Sequence, residues 1–289
     1  MNSYTNRVKY LLKQILPWSL RSKLKRQKRK TVNGLKKKQI PISLAQMGAI
    51  LETELGICKG DKLIVASSFG NLNADFSPKE LIELLQKIVT GEGIIMMPYY
   101  PPKNSSEFAK SSDVFDMQET KSSMGILTNV FSKMDNVYKS KHPTKAVCVW
   151  GKNAELIVKG HDKAKTPFYW DSPYGKLQKM GSKSLGLGLK NIPIFHLEED
   201  VLLENKESYY YPDKYSLTVI DNGTIENVET FVHSAEIISK LKDAGDYVRN
   251  LKCKTYRQFN VGFAFCYVID NTELFEVCSV EFMKGHTRA

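Results

Sequence analysis

After its first forty residues, the chain alternates between helically spaced apolar positions and short uninterrupted apolar runs. Residues 44–55 and 78–89 have the helical spacing, and the second of these segments follows Ser77, which can cap a helix. Residues 63–66 and 94–97 are apolar runs of the length of buried strands. Strand, helix and strand thus follow one another within 35 residues. This is a βαβ unit, and it predicts the α/β class.

The rest of the chain continues this alternation. Strands are predicted at residues 146–150 and 262–269, a helix at 236–250, and a hairpin around the turn at 221–223. Residues 99–123 are polar and without a pattern, which is typical of a loop that lines a site or is disordered.

No internal repeat and no linker interrupts this pattern. We therefore predict one α/β domain, residues 43–289, with a central, mostly parallel or mixed sheet flanked by helices. Residues 1–42 are predicted to form a separate basic amphipathic arm.

The segment from Asp171 to Asp200 carries the most distinctive local chemistry. Residues 185–189 are an apolar run containing two glycines, typical of a buried strand whose backbone something approaches closely. Residues 192–195 then lead to His196, and Glu199 follows three positions later. Such a pair can be a general base with the carboxylate that orients it, or a buried histidine in an ordinary salt bridge.

Composition limits the classes of protein to which the chain can belong. The chain has 289 residues, 42% of them hydrophobic, which is enough for a sizeable core. Its five cysteines are odd in number and form no CxxC motif, so free thiols in a reducing compartment are expected and a metal site is not. No apolar run is long enough to cross a bilayer, and no secretory signal is expected.

The net charge of +11 belongs to the arm. Residues 1–40 hold 13 Lys and Arg and no Asp or Glu, which leaves 29 basic and 31 acidic residues elsewhere. Residues 4–30 combine this charge with large apolar residues at helical spacing, which favours a helix on an anionic membrane surface. A solvated tail, a nucleic-acid arm and a helix packed on a partner subunit are the alternatives.

Several short motifs follow one another in a fixed order, and together they are specific although each alone is not. They are Gly60-Asp61, Val65-Ala66-Ser67-Ser68, Gly91-x-Gly93, Met97-Pro98, Phe115-Asp116, Gly125, Ser140-x-His142-Pro143-Thr144, Gly151-x-x-Ala154, His161, Asp171-Ser172-Pro173, Leu177, Leu187-Gly188 and His196-x-x-Glu199. This series resembles the aminoglycoside 3-N-acetyltransferase family, the acetyl-CoA-dependent antibiotic acetyltransferases that are not of the GNAT type. The resemblance covers residues 60–199 and, more weakly, 262–282.

The chain departs from the family pattern at three places. Ala66 stands where the family usually has a histidine before the paired serines, and Lys139 where it usually has an arginine. Residues 192–195 lack the threonine that usually precedes the last histidine. These departures concern the acceptor substrate more than the chemistry.

The resemblance implies an acyltransferase with acetyl-CoA as the acyl donor, no metal, and His196 as a catalytic residue. Moving an acetyl group to an amine requires a base, because an ammonium has no lone pair with which to attack. We expect His196 to be that base and Glu199 to orient it. No cysteine has the setting of a nucleophile, so direct transfer in a ternary complex is expected.

Other residues are candidates for binding roles. Ser67, Ser68, His142 and Thr144 are candidates for holding acetyl-CoA, with Lys139 and Lys145 facing its phosphates. Asp171 and Glu198 are candidates for the acceptor ammonium, although Asp171 also suits a turn before Ser172-Pro173 and Glu198 could instead orient His196. His161 is expected to be structural, and His233 carries no motif.

The sequence favours an amino sugar of a surface polysaccharide, or its lipid- or nucleotide-linked precursor, as the acceptor, since a membrane dock would explain the arm. An aminoglycoside is the alternative, weakly favoured by the acidic residues between Glu198 and Glu207. A third hypothesis is a CoA- or sugar-binding protein of the same fold that no longer catalyses. The expected location is the cytoplasm, at the inner face of the membrane.

The expected partners are a small-molecule amino-sugar acceptor, an anionic membrane surface through residues 1–40, and a second copy of the chain in a homodimer. Nucleic acid is not expected.

Overall fold

The computed structural model describes residues 40–203 and 209–288. The predicted arm lies almost entirely outside these residues, so its helix and its membrane contact stay predictions. Within them, no helix combines the length and apolarity needed to cross a membrane.

Ten strands are present in this part of the chain. In chain order they are β1 Lys62–Ser67, β2 Ile94–Pro98, β3 Phe115–Asp116, β4 Val137–Lys139, β5 Val147–Gly151, β6 Lys183–Leu187, β7 Tyr215–Asp221, β8 Thr224–Thr230, β9 Arg257–Val261 and β10 Ala264–Asp270. Seven form one sheet in the order β4-β5-β2-β1-β6-β10-β9, and the other three form a small sheet in the order β3-β7-β8.

The α-helices of the described residues lie mostly between these strands. They are α1 Leu44–Ala49, extended by a π-helical turn at Ile50–Glu54, α2 Pro78–Val89, α3 Ser105–Ala109, α4 Ile126–Phe131, α5 Ala154–Val158, α6 Pro173–Lys179, α7 Phe195–Leu202, α8 Ala235–Lys240, α9 Ala244–Asn250 and α10 Asn271–Met283.

The central strands of the large sheet are parallel, and the strands on either side of them pair antiparallel. β1 pairs in parallel with β2 and with β6, whereas β5 pairs antiparallel with β2, and β10 antiparallel with β6. The predicted βαβ unit of β1, α2 and β2 and the predicted mixed sheet of an α/β domain are confirmed. Because the three parallel strands point the same way, their carboxyl ends meet at one edge of the sheet, which we call the site edge.

Both faces of the sheet are buried, and alternate residues of each strand point to opposite faces. In β1, Leu63 and Val65 belong to one apolar cluster and Ile64 to the other. α2 covers the first face with Leu81, Ile82 and Leu85, and α7 and α10 cover the second face. Each fully buried aliphatic side chain contributes about 1.5–3 kcal/mol, so these two clusters hold the sheet between its helices.

The predicted helix starts agree with the structure because capping depends on local residues. The Ser77 side chain accepts a hydrogen bond from the Glu80 backbone, the Glu80 side chain accepts one from the Ser77 backbone, and Pro78 is the first helical residue. Ser43 forms the same kind of capping box with Gln46 at the start of α1.

Three elements differ from expectation. The helix predicted at 236–250 is interrupted between Lys240 and Ala244, giving α8 and α9. The patternless loop 99–123 contains α3 and the short strand β3, which joins the predicted hairpin to form the small sheet. The strand predicted at 262–269 corresponds to β10, whereas β9 before it was not predicted; a tight turn at Gly262 reverses the chain between the two strands.

Gly186 confirms that something approaches the backbone of the glycine-containing strand. It pairs with Tyr267 of β10, and a Cβ atom on Gly186 would overlap the Tyr267 ring. The Tyr267 hydroxyl in turn donates a hydrogen bond to the carbonyl of Asn191, in the segment that leads to α7. The ring therefore occupies the space beside Gly186 and connects this strand to the segment that leads to His196.

Candidate active site

His196 and Glu199 face the same side of α7. They are one helical turn apart, and His196 Nδ1 lies 3.1 Å from Glu199 Oε2. The His196 side chain is 25% exposed, whereas that of Glu199 is 4% exposed. A carboxylate on Nδ1 fixes the tautomer with its proton there, which leaves Nε2 as the basic atom of the ring.

Arg288 completes this arrangement from the segment after α10. Its Nε and Nη2 atoms each donate a 2.7 Å hydrogen bond to one oxygen of Glu199, and its side chain is 6% exposed. Nη1 donates to the Lys242 carbonyl. A guanidinium held in this way binds both carboxylate oxygens at once and fixes the plane of the carboxylate.

The charges of this triad favour a neutral histidine. Burial lowers the pKa of His196, and the Arg288 charge acts in the same direction, while the hydrogen bond and charge of Glu199 oppose them without overcoming them. Burial raises the pKa of Glu199, but the hydrogen bonds from His196 and Arg288 outweigh it, so this pKa lies below its usual value. At neutral pH, His196 is therefore an unprotonated base beside an ionised carboxylate.

Aromatic rings surround the base. The His196 ring centroid lies 4.8 Å from that of Phe168 and 5.0 Å from that of His233. His233 stacks on Tyr210 at 4.4 Å and on Phe168 at 5.7 Å. His233 lies in no sequence motif, and the bridge that it forms with Tyr210 places it beside these rings.

Asp200 supports the loop that carries Phe168. Its carboxylate accepts hydrogen bonds from the Tyr210 hydroxyl, at 2.6 Å, and from the Thr166 hydroxyl. Asp200 itself is 2% exposed. It therefore connects α7, the Thr166 loop and Tyr210, and it does not present its charge to solvent.

Lys145 lies beside the same rings. Its amine is 4.4 Å from the Tyr100 ring centroid and 5.9 Å from that of Phe168. Burial lowers the pKa of Lys145 to about 8. The Tyr100 hydroxyl is hydrogen-bonded to that of Tyr174, at 2.8 Å, so the aromatic surface under the amine is held in place.

The predicted serines lie at the site edge, where β1 ends. The Ser67 hydroxyl is buried and has no hydrogen-bond partner, and the same is true of Thr144. The Ser68 backbone pairs with Leu187, the last residue of β6. Gly125 and Gly188 pass close to the backbone carbonyls of Ser67 and Ser68, respectively, and both have the positive φ that favours glycine.

The structure gives His142 hydrogen bonds inside the chain, and its predicted contact with acetyl-CoA stays a prediction. It is 1% exposed, its Nδ1 accepts from the backbones of Thr144 and Lys145, and its Nε2 lies 3.0 Å from the Thr230 hydroxyl. Both ring nitrogens are thus occupied, and the ring fixes the loop that presents Lys145.

His161 is structural, as predicted. Its Nδ1 accepts from the Ser140 hydroxyl at 2.8 Å, and its Nε2 donates to the Pro167 carbonyl at 3.0 Å. Its ring packs against that of His142. Burial lowers the pKa of His161 to about 4, so the ring is neutral at neutral pH.

The predicted substrate contacts of Asp171, Glu198 and Lys139 stay predictions, and the structure shows the surroundings of each side chain. Asp171 is exposed and its carboxylate accepts from the Lys165 backbone, so it closes a turn. Glu198 is fully buried, and neither oxygen has a side-chain partner or reaches solvent, so burial raises its pKa well above the usual value. The Lys139 amine donates to the Met117 carbonyl and lies 4.1 Å from the Tyr99 ring centroid.

A separate groove of about 800 Å³ opens between α2 and α4. Its lining includes the three lysines Lys79, Lys121 and Lys133, the carboxylates Glu83 and Asp135, and Trp150. α4 begins directly after Gly125, so one end of this helix lies beside Ser67. In the described part of the chain, no group of His, Cys, Asp and Glu has an arrangement that could hold a metal ion.

Comparisons with known proteins identify the fold and the family. Residues 64–283 match the family model of aminoglycoside 3-N-acetyltransferases. Among curated proteins, none matches the sequence significantly.

Solved structures with this fold share little sequence with the chain. AAC-VIa with bound sisomicin is 19% identical, with a TM-score of 0.70 over 86% of this chain and 100% of its own. A mutant of AAC(3)-IVa in complex with a gentamicin is 22% identical, with a TM-score of 0.68 over 85% and 90% of the two chains. AAC-IIIb with CoASH is 16% identical, with a TM-score of 0.70 over 86% and 99%.

Proposed function

The chain belongs to the aminoglycoside 3-N-acetyltransferase family, a family of acetyl-CoA-dependent acyltransferases, and from this membership we propose that it acetylates an amine of an amino sugar with His196 as the general base. The observation that carries the proposal is the triad of His196, Glu199 and Arg288. It couples a partly exposed imidazole to a carboxylate and an arginine that are both buried.

The triad is arranged for one proton transfer, from the amine of the acceptor to His196. His196 Nε2 has no hydrogen-bond partner within residues 40–203 and 209–288, so it can accept a proton from the acceptor's ammonium group or from its attacking amine. Glu199 then stabilises the imidazolium, and Arg288 holds the carboxylate in a fixed orientation through its two hydrogen bonds. When bound, acetyl-CoA supplies the thioester carbonyl that the amine attacks.

The donor requires polar and cationic contacts, which the site edge and the groove between α2 and α4 provide. The unpaired buried hydroxyls of Ser67 and Thr144 fit polar groups of acetyl-CoA, and the three lysines of the groove between α2 and α4 fit its phosphates. These residues would hold the donor on the side of the sheet where α4 begins.

The cysteines favour direct transfer without an acetylated enzyme. Burial raises the pKa of Cys148 to about 12 and those of Cys253 and Cys266 to about 11. A protonated thiol is a poor nucleophile, and these three are therefore unsuited to carry the acetyl group. The protein would bind donor and acceptor together, which removes much of the entropic cost of the reaction.

Aminoglycosides are the acceptors that the family relationship supports best, and they fit better than the polysaccharide precursor that sequence analysis favoured. Two structures with this fold hold sisomicin and a gentamicin. Both compounds are amino sugars with several amines, which is the acceptor chemistry that His196 can serve.

A second acceptor class, the amino sugar of a glycan precursor, is favoured by the electrostatics of the site. Residues 198–200 belong to the acidic stretch that was expected to attract a polycation. In the structure, these three residues do not present their negative charge to a ligand. Glu198 is enclosed, Glu199 is neutralised by Arg288, and Asp200 accepts from two hydroxyls. Glu204 and Glu207 lie outside the described residues.

The basic arm would place the enzyme at a membrane, where acceptors of the second class can be lipid-linked. We propose that residues 1–40 bind an anionic membrane surface, because their apolar and basic residues recur at helical spacing. Such a dock would bring the enzyme to lipid-linked sugars. Formation of a homodimer stays a prediction.

Release of the CoA thiol from acetyl-CoA tests the proposed function. Purified protein is assayed with sisomicin, gentamicin, glucosamine and nucleotide-linked amino sugars. His196→Ala should lower kcat by about 10²- to 10⁴-fold, the contribution of a positioned base, while acetyl-CoA still binds. His286→Ala, at an exposed histidine paired with Glu281, is the matched control and should leave turnover unchanged.

Equal turnover in His196→Ala and the control would refute the role of His196. Absence of thiol release with every amine, with acetyl-CoA still bound, would favour the third hypothesis, a binding protein without catalysis.

A further inference from the structure

Lys145 carries a positive charge that no carboxylate in the structure neutralises. Its amine lies over the Tyr100 ring, and no ion pair joins it to an Asp or Glu within residues 40–203 and 209–288. Most lysines near a protein surface have an ionic partner or project into water. This one is held over an aromatic ring, which stabilises a cation without removing its charge.

The charge lies beside the catalytic base. The Phe168 ring is 5.9 Å from the Lys145 amine and 4.8 Å from the His196 ring. The positive charge of Lys145 also acts on both His196 and His233, lowering the pKa of each together with burial. A group bound next to His196 is therefore within the electrostatic reach of Lys145.

The other charges around His196 balance one another. Arg288 pairs with Glu199 through two hydrogen bonds, and Asp200 is enclosed by the hydroxyls of Thr166 and Tyr210. Glu198 is buried, and burial raises its pKa well above the usual value, which disfavours its charged form. Among the residues that the structure describes, Lys145 is therefore the charge at the base that is left for a ligand, and it disfavours a second ammonium group close to the reacting amine.

We infer that the preferred acceptor carries an anionic group, a phosphate or a carboxylate, near the amine that is acetylated, and that Lys145 binds this group. The inference rests on the proposed acetylation at His196, and of the two proposed acceptor classes it selects the amino sugar of a glycan precursor. The phosphates of CoA are an unsuitable source for the anion, because they lie at the opposite end of the pantetheine arm from the reacting thioester. A sugar phosphate and an acidic sugar are the two chemical sources.

Amino sugars that differ in their anionic group distinguish the two sources of the anion. The thiol-release assay is run with glucosamine, glucosamine 6-phosphate, 2-amino-2-deoxyglucuronic acid and sisomicin. The variants are Lys145→Gln, which removes the charge, and Lys145→Arg, which keeps it. Lys59→Gln removes an exposed lysine at the opposite edge of the sheet and is the control.

The wild-type protein and the control should use one of the anionic sugars with a kcat/KM about tenfold or more above that of glucosamine, since a hydrogen bond to a charged group contributes this much. Lys145→Gln should remove that advantage mainly through KM, and Lys145→Arg should restore part of it. The phosphate or the carboxylate that shows the advantage identifies the source.

Two outcomes would overturn the inference while leaving the proposed function intact. One is a wild-type kcat/KM for sisomicin or glucosamine at or above those of both anionic sugars. The other is an equal loss in Lys145→Gln for the anionic and the uncharged sugar. If no amine is turned over, the proposed function fails, and calorimetric binding decides about Lys145: equal affinities of wild type and Lys145→Gln for both anionic sugars would reject it.

Discussion

Arg288 binds Glu199 through two hydrogen bonds of 2.7 Å, and through Glu199 it acts on His196, which Arg288 itself does not touch by any hydrogen bond. This pairing makes Arg288 a positioning residue for the base. It also removes part of the negative charge that would otherwise favour the imidazolium form of His196.

Replacing Arg288 by Gln should therefore raise the pKa of His196, since Glu199 would stabilise its protonated form without competition. A base with a higher pKa is lost to protonation at a higher pH, so the acid limb of the kcat/KM profile should move to higher pH. A pH–rate profile measures this shift. Arg249→Gln, at a partly exposed arginine paired with Asp246, is the control.

A lower rate with an unmoved acid limb would show that Arg288 acts only on folding. Breaking a buried ion pair from one side costs about 3–5 kcal/mol of stability. Thermal unfolding of the variant should therefore be recorded, and the profile measured well below its Tm.

The buried histidine His161 should make the protein less stable in mild acid. Its pKa is about 4 in the folded chain and near 6.5 when unfolded, so between these values the unfolded state binds more protons. This contribution to stability is present above pH 6.5 and is lost as pH falls toward 4, by up to about 1.4 kcal/mol per pH unit. The buried His142 and His233, whose pKa values are also lowered by burial, act in the same direction.

Urea unfolding at pH 7, 6 and 5 tests the sign and the source of this effect. His161→Gln keeps one donor and one acceptor toward Pro167 and Ser140 but cannot be protonated. It should be less stable than wild type at pH 7 and should lose less stability on going to pH 5. An identical slope in both proteins would show that His161 does not contribute.

Gly186→Ala should destabilise the fold by about 1–3 kcal/mol or more, because the new methyl group overlaps the buried Tyr267 ring. Moving that ring would also strain its hydrogen bond to Asn191 and so the path to His196. Gly70→Ala, where nothing lies within 4 Å of the new methyl, should cost far less. Denaturant unfolding of both variants measures the difference, and equal stabilities would contradict this packing.

Deleting residues 1–40 should abolish sedimentation with anionic liposomes and spare the turnover of soluble acceptors. The attraction of basic residues to anionic lipid also predicts that salt weakens wild-type binding. Liposomes of neutral lipid serve as the control surface. Continued sedimentation of the shortened protein with anionic liposomes would refute the membrane role of the arm.

The sequence by itself determined those features that depend on neighbours within a few positions. Ser77 and Glu80 cap α2 because a capping box spans three residues, and His196 meets Glu199 because they lie one turn apart. The apolar runs identified β1 and β2, and the ordered motifs identified the family, although each motif is short.

Only the tertiary structure decided which distant groups surround the base. Arg288 is 89 residues from Glu199 and reaches it because α10 packs beside α7. His233 and Lys145 come from separate loops, and Glu198, next to Glu199 in the sequence, turns into the core because successive helical residues point about 100° apart. Sequence periodicity indicates which side of a helix is buried, but the packing of the whole chain determines which residues contact that side.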